Sequence, residues 1–126
     1  MTDEKTRHQP VPEDDNGAAR QQPTSYTMVE PRFREIYFQF YKETYKPSVL
    51  DRKTKELVAI AASLAAKCQG CLEGHVKKAL KFGATREEVS EAIAIAIGVN
   101  AAAIVDLTDI AADNMDLRLF PNADKK

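Results

Sequence analysis

The most constraining stretch of this 126-residue chain runs from Ala92 to Val105, AIAIAIGVNAAAIV. It carries no charge, and Ala and Ile alternate over residues 92–97. A period of two is ordinarily a strand signal. Both residue types are apolar, however, so the alternation separates no wet face from a dry one. The alanines, the capping box Thr85-Arg86-Glu87-Glu88 and the absence of turn signals before Gly98 favour helix. Such a segment is apolar on more than one face. A domain of about 100 ordered residues cannot wrap it alone, which predicts burial between subunits of a homo-oligomer. Gly98 and Asn100 mark a bend or break, so a further helix is expected from about Ala101 to Asn114. The uninterrupted run falls short of the roughly 20 apolar residues that a membrane-spanning helix needs, so no membrane partner is expected.

Upstream, three more helices can be read. Pro31 suits a first helical turn, and Phe33, Ile36, Tyr37, Phe40, Tyr41 and Tyr45 follow amphipathic spacing up to Pro47. This aromatic stripe reads as core or subunit interface. Asp51 can cap a second helix whose apolar face is Leu57, Ile60, Ala61, Leu64 and Ala65. A third helix runs from about Cys68 to Phe82. Gly83 then stands where a left-handed residue is wanted, and Lys77, Lys78 and Lys81 complement the negative helix end. The expected fold is all-α, a bundle of about five helices over residues 25–120. Residues 1–24 read as a disordered polar tail that includes His8, and residues 121–126 as a short polar C-terminal tail.

Composition bounds the function. Eighteen basic against 19 acidic side chains give a net charge of -1, which offers nothing to a nucleic-acid partner. Two cysteines cannot staple a mini-protein or alone close a zinc site. The N-terminal sequence has no apolar leader, so a cytoplasmic protein with reduced thiols is expected.

The chemistry is concentrated in Glu56–His75, ELVAIAASLAAKCQGCLEGH. Cys68, Cys71 and His75 are spaced three and four apart, which places them on one helical face. Glu56 lies on the preceding helix, and an antiparallel return could bring its carboxylate to that face. A thiol attacks as thiolate, an imidazole can take its proton, and a carboxylate can orient the imidazole. A second thiol can then resolve the oxidised first one as a disulfide. Helical Cβ spacing is too long for a disulfide, so the pair must lie at a helix start, where the first turn can adjust. The helix N-terminus favours an anion at Cys68 and His75 favours Cys71; the specific base outweighs the dipole, so Cys71 is assigned the attack. Inert structural cysteines and a metal set of two Cys, one His and one Glu remain alternatives at this level.

The string also resembles a known family. Glu56, Cys68, Cys71 and His75 match the E-x11-C-x-x-C-x-x-x-H pattern of alkylhydroperoxidase D-like proteins in the carboxymuconolactone decarboxylase superfamily. The flanks agree, with Leu50-Asp51-x-Lys53-Thr54-x-Glu56-Leu57 before the motif and Lys81-Phe82-Gly83-Ala84-Thr85-x-Glu87-Glu88-Val89 after it. The resemblance implies an all-helical fold assembled as a trimer or hexamer. It implies reduction of hydroperoxides through a sulfenic acid on Cys71, resolution by Cys68, and a proton relay of His75 and Glu56. It implies a thiol reductant such as a dihydrolipoyl protein or a thioredoxin-like donor, with no cofactor and no metal. One departure stands out. Well-studied peroxidases of this family have a second histidine beside the attacking cysteine, whereas Gly70 precedes Cys71 here. A relay short of one member implies lower activity or another substrate. The alternatives are a decarboxylase-like small-molecule enzyme and a non-catalytic oligomeric binding protein.

Overall fold

The computed structural model describes residues 26–122. The expected tail over residues 1–24 and most of the expected tail over 121–126 lie outside them. Within the described residues the architecture is all-α. Four helices follow in order, α1 (Pro31–Tyr45), α2 (Arg52–Ala65), α3 (Gln69–Lys81) and α4 (Arg86–Met115).

Local chemistry sets each boundary. Pro31 opens α1, and Lys46, in front of Pro47, turns extended and closes it. The Asp51 carboxylate accepts the Thr54 backbone N–H at 2.7 Å and caps α2. Lys67 takes left-handed geometry between α2 and α3 (φ 56°), and Gly83 does so after α3 (φ 90°). Thr85 and Glu88 form the reciprocal capping box that starts α4.

The expectation of five helices is corrected here. Gly98 and Asn100 do not break α4, which continues for 30 residues. Neither residue lacks a backbone N–H, so the helical ladder passes through both. Asn100 turns its side chain inward and donates to the Ala96 carbonyl at 2.7 Å. Gly98 costs about 1 kcal/mol of helix propensity, which a long alanine-rich helix absorbs. The real stop is Asp116, in left-handed geometry.

The core sits between α2, α3 and the first half of α4. Ile60, Ala79, Ala84 and Ala92 are buried, with Leu57, Leu64, Leu72, Val76, Val89 and Ile93 packed against them. Lys53 on α2 pairs with Glu88 on α4 at 3.0 Å. The second half of α4 finds no cover within the chain: Ile97, Val99, Ile104, Val105, Leu107 and Ile110 are all more than half exposed. By length and composition α4 could cross a membrane, and its most apolar 18-residue stretch is almost wholly exposed.

The aromatic stripe of α1 is not core. None of its residues is fully buried, and Phe33, Ile36 and Phe40 are at least half exposed. The helix is held instead at its C-terminal end by polar ties. Lys55 donates to the carbonyls of Thr44 and Lys46, and Lys78 donates to the Tyr41 hydroxyl at 2.7 Å. These ties hold Tyr45 against His75 on α3.

Candidate redox site

The sequence places Cys68 in the turn after α2, and that turn is specified locally. The Cys68 N–H donates to the Ser63 carbonyl at 2.9 Å, which ties it to the end of α2. Cys68 has extended geometry as the N-cap of α3, and its Sγ accepts from the Cys71 N–H at 3.3 Å. Cys71 lies in the first turn, and the two are joined by a disulfide with Cα atoms 5.3 Å apart. The helix start therefore provides the approach that mid-helix spacing would deny. It also changes the contest between the two thiols. Both sulfurs sit at the positive end of α3, so the dipole no longer separates them, whereas His75 follows Cys71 by one turn. Cys71 is exposed and Cys68 is partly covered.

Behind the disulfide lies a buried polar chain. Glu56 is completely enclosed and His75 is 8% exposed. Arg52 Nε donates to Glu56 Oε1 at 2.9 Å, and Glu56 Oε2 meets His75 Nδ1 at 2.6 Å. With a guanidinium donating to one oxygen, the carboxylate serves as acceptor on both sides, so Nδ1–H is the donor. Nε2 keeps its lone pair, and the Tyr45 hydroxyl stands 3.3 Å away. The Tyr45 ring stacks on the imidazole with centroids 5.1 Å apart. Burial pushes the Tyr45 phenol up to about 12, so its hydroxyl keeps its proton at neutral pH. The Arg52 guanidinium lies over the rings of Phe82 and Tyr45.

A cavity of about 320 Å³ opens on this arrangement. Its floor includes Cys68, Cys71 and His75, and its wall includes Tyr37, Phe40, Tyr41 and Tyr45. Part of the α1 stripe is therefore a cavity wall. The four residues singled out from sequence all belong to one site, with Glu56 reaching it through His75.

The chain matches the family model described as "Carboxymuconolactone decarboxylase family" over residues 31–113. It belongs to that family. Among curated proteins it is 38% identical over 69 residues to "Uncharacterized protein 4 in cox locus" of Paracoccus denitrificans. The match covers 55% of this chain and 62% of that protein, so the chain spans less than two thirds of its relative's length. Solved structures extend the likeness. A protein of Methanobacterium thermoautotrophicum superposes with a TM-score of 0.61 at 26% identity, covering 67% of this chain and 97% of its own. A Thermotoga maritima member, for which a part in an antioxidative response has been suggested, gives 0.52 at 27% identity, with 69% and 98% covered. A Legionella pneumophila member gives 0.54 at 32% identity, with 60% and 68% covered.

In this family member the site has the parts for thiol–disulfide chemistry: an accessible sulfur, a second sulfur in covalent reach, and a base held by a buried carboxylate. Among the described residues no group of three or more His, Cys, Asp or Glu side chains is placed to hold a metal ion. Two contributors escaped the sequence reading. Arg52 is four residues before Glu56 on α2, a spacing that could have been recognised as an i,i+4 pair. Tyr45 had no such signal, because only the tertiary docking of α1 brings it to His75.

Proposed function

We propose that this protein is a thiol peroxidase that reduces hydroperoxides through the Cys68–Cys71 pair. The observation that carries the reading is the continuity from Arg52 through Glu56 to His75, ending in a cavity that contains both sulfurs. In the reduced protein, His75 Nε2 takes the Cys71 thiol proton. The thiolate attacks the terminal oxygen of ROOH, the O–O bond breaks, and Cys71 becomes a sulfenic acid while ROH leaves. Cys68 sulfur then attacks Cys71 sulfur, expelling water and forming the disulfide seen here. A dithiol donor returns the two electrons.

The cavity supports an organic hydroperoxide. A volume of about 320 Å³ is many times the share of about 30 Å³ that a water molecule occupies in the liquid, and its aromatic wall suits an apolar substituent. The antioxidative role suggested for the Thermotoga maritima relative supports the same reading. The uncovered half of α4 supports a homo-oligomer, trimer or hexamer, in which copies bury Ile104, Leu107 and Ile110.

Thiol titration of the reduced protein tests the activity. One equivalent of cumene hydroperoxide should lower the count from two thiols per chain to none. Cys71→Ser should leave the peroxide unconsumed. A count that stays at two would overturn the reading.

A further inference from the structure

The relay described above supplies a base but names no acid for the departing oxygen. Breaking the O–O bond releases RO⁻, an alkoxide that needs a proton. Of the hydroxyl groups that line the cavity, Ser63 donates to the Ala59 carbonyl, Thr44 donates to the Phe40 carbonyl and Tyr41 accepts from Lys78, whereas the Tyr45 hydroxyl stands against His75 Nε2. Glu56 is fully enclosed, and both its oxygens are taken up by Arg52 and His75. His75 presents Nε2 toward the Tyr45 hydroxyl. Tyr45 is the member of the buried chain that brings a hydroxyl to the cavity that Cys68 and Cys71 also line.

We propose that Tyr45 is a catalytic residue, the general acid that delivers the proton to the leaving alkoxide. This rests on the peroxidase reading. The steps balance. The Cys71 thiol gives its proton to His75 Nε2, and the thiolate sulfur forms its bond to the terminal oxygen. As the O–O bond breaks, the Tyr45 hydroxyl gives its proton to RO⁻ and forms ROH. His75 Nε2–H, 3.3 Å away in this structure, returns a proton to the phenolate. The net change is Cys71–SH plus ROOH giving Cys71–SOH plus ROH. The chain Arg52–Glu56–His75–Tyr45 ends as it began, ready for another turnover once the disulfide is reduced.

The acid strength is suitable. A phenol pushed up to about 12 by burial stays protonated at neutral pH, yet remains a far stronger acid than an alcohol. The position is held from two sides: stacking on the imidazole fixes the ring, and the Lys55 contacts to Thr44 and Lys46 fix the helix end that carries it. Tyr45 brings a proton-carrying group from a different helix than His75.

The test is Tyr45→Phe, which keeps the ring, the stack and the cavity wall and removes only the hydroxyl. Three rates are measured on the reduced protein: consumption of cumene hydroperoxide, consumption of a peracid, and alkylation of Cys71 by iodoacetamide. The alkoxide leaving from cumene hydroperoxide needs a proton, whereas the carboxylate leaving from a peracid and the iodide leaving from iodoacetamide do not. The expected result is a loss of about 10²–10⁴-fold with cumene hydroperoxide, with the other two rates within about twofold of wild type. Equal rates with cumene hydroperoxide in wild type and variant would overturn the proposal while leaving the peroxidase reading intact. Parallel loss of all three rates would also overturn it, since that marks a hydroxyl needed to position His75 or to hold the fold. A wild-type protein that consumes neither peroxide would overturn the peroxidase reading and this proposal together.

Discussion

Replacing Glu56 by Gln puts the buried chain to its hardest test. The carboxylate is fully enclosed and accepts from Arg52 at 2.9 Å and from His75 at 2.6 Å. An amide has one oxygen and one NH2 group, so it can accept from Arg52 or from His75 Nδ1–H, but its other end then faces a donor. Arg52 is itself buried, 5% exposed, and loses the charge of Glu56. Breaking one partner of such a pair costs about 3–5 kcal/mol. For a domain of this size 1 kcal/mol moves Tm by roughly 4–8 °C, so a fall of at least about 12 °C is expected. The amide would also favour the opposite tautomer, with hydrogen on Nε2, which cannot take the thiol proton. Peroxide consumption should therefore fall about 10²–10⁴-fold. Urea unfolding of the oxidised protein, at fixed protomer concentration, reads the stability term. The double variant Arg52→Met, Glu56→Leu removes both charges and should recover part of the stability with no recovery of turnover. A Glu56→Gln midpoint within about 0.5 kcal/mol of wild type would refute the reasoning, because it would mean the pair is not buried as described.

Other outcomes follow from single features. Tyr37 and Tyr45 are both pushed up to about 12, the first mainly by its hydrogen bond with Tyr26 and the second by burial. The folded state thus holds protons that the unfolded state releases near pH 10, so stability should fall as pH rises from 10 to 12; alkaline urea titration checks the sign. Ile60 is fully buried, and Ile60→Ala should cost about 2–5 kcal/mol in the same unfolding assay. Gly98 has open space where a Cβ would stand, so Gly98→Ala should stabilise the α4 helix by about 0.5–1 kcal/mol, seen as a higher Tm. Sedimentation should give a multiple of the chain mass, and Ile104→Glu with Ile110→Glu should reduce it to one chain; a wild-type monomer would remove the oligomer from the account.

The sequence was legible wherever local chemistry decides. Pro31, Pro47, Asp51, Thr85 and Gly83 mark ends that the structure keeps, because caps and left-handed turns are settled within a few residues. Cys71 and His75 share α3, so their common face followed from periodicity, whereas Cys68 stands just outside the helix as its extended N-cap and reaches Cys71 by the disulfide. Gly98 and Asn100 misled, since both weaken a helix without removing its hydrogen bonds, and the surrounding alanines prevail. The α1 stripe was read as core or subunit interface, and amphipathic spacing could not choose between them, because it reports that one face is apolar, not what meets it; within the chain that face is not core. Tyr45 and the Glu56–His75 contact span 30 and 19 residues. Such pairings depend on how helices dock, which no local pattern encodes.

The central claim is that Cys71 is the sulfur that peroxide oxidises. Cys68→Ser leaves Cys71 unable to form the disulfide and so preserves its sulfenic acid for capture. Treatment with cumene hydroperoxide in the presence of dimedone, followed by peptide mass spectrometry, should give one dimedone adduct per chain on the peptide carrying Cys71. An unmodified Cys71 under those conditions, with wild-type protein likewise keeping both thiols, would contradict the account.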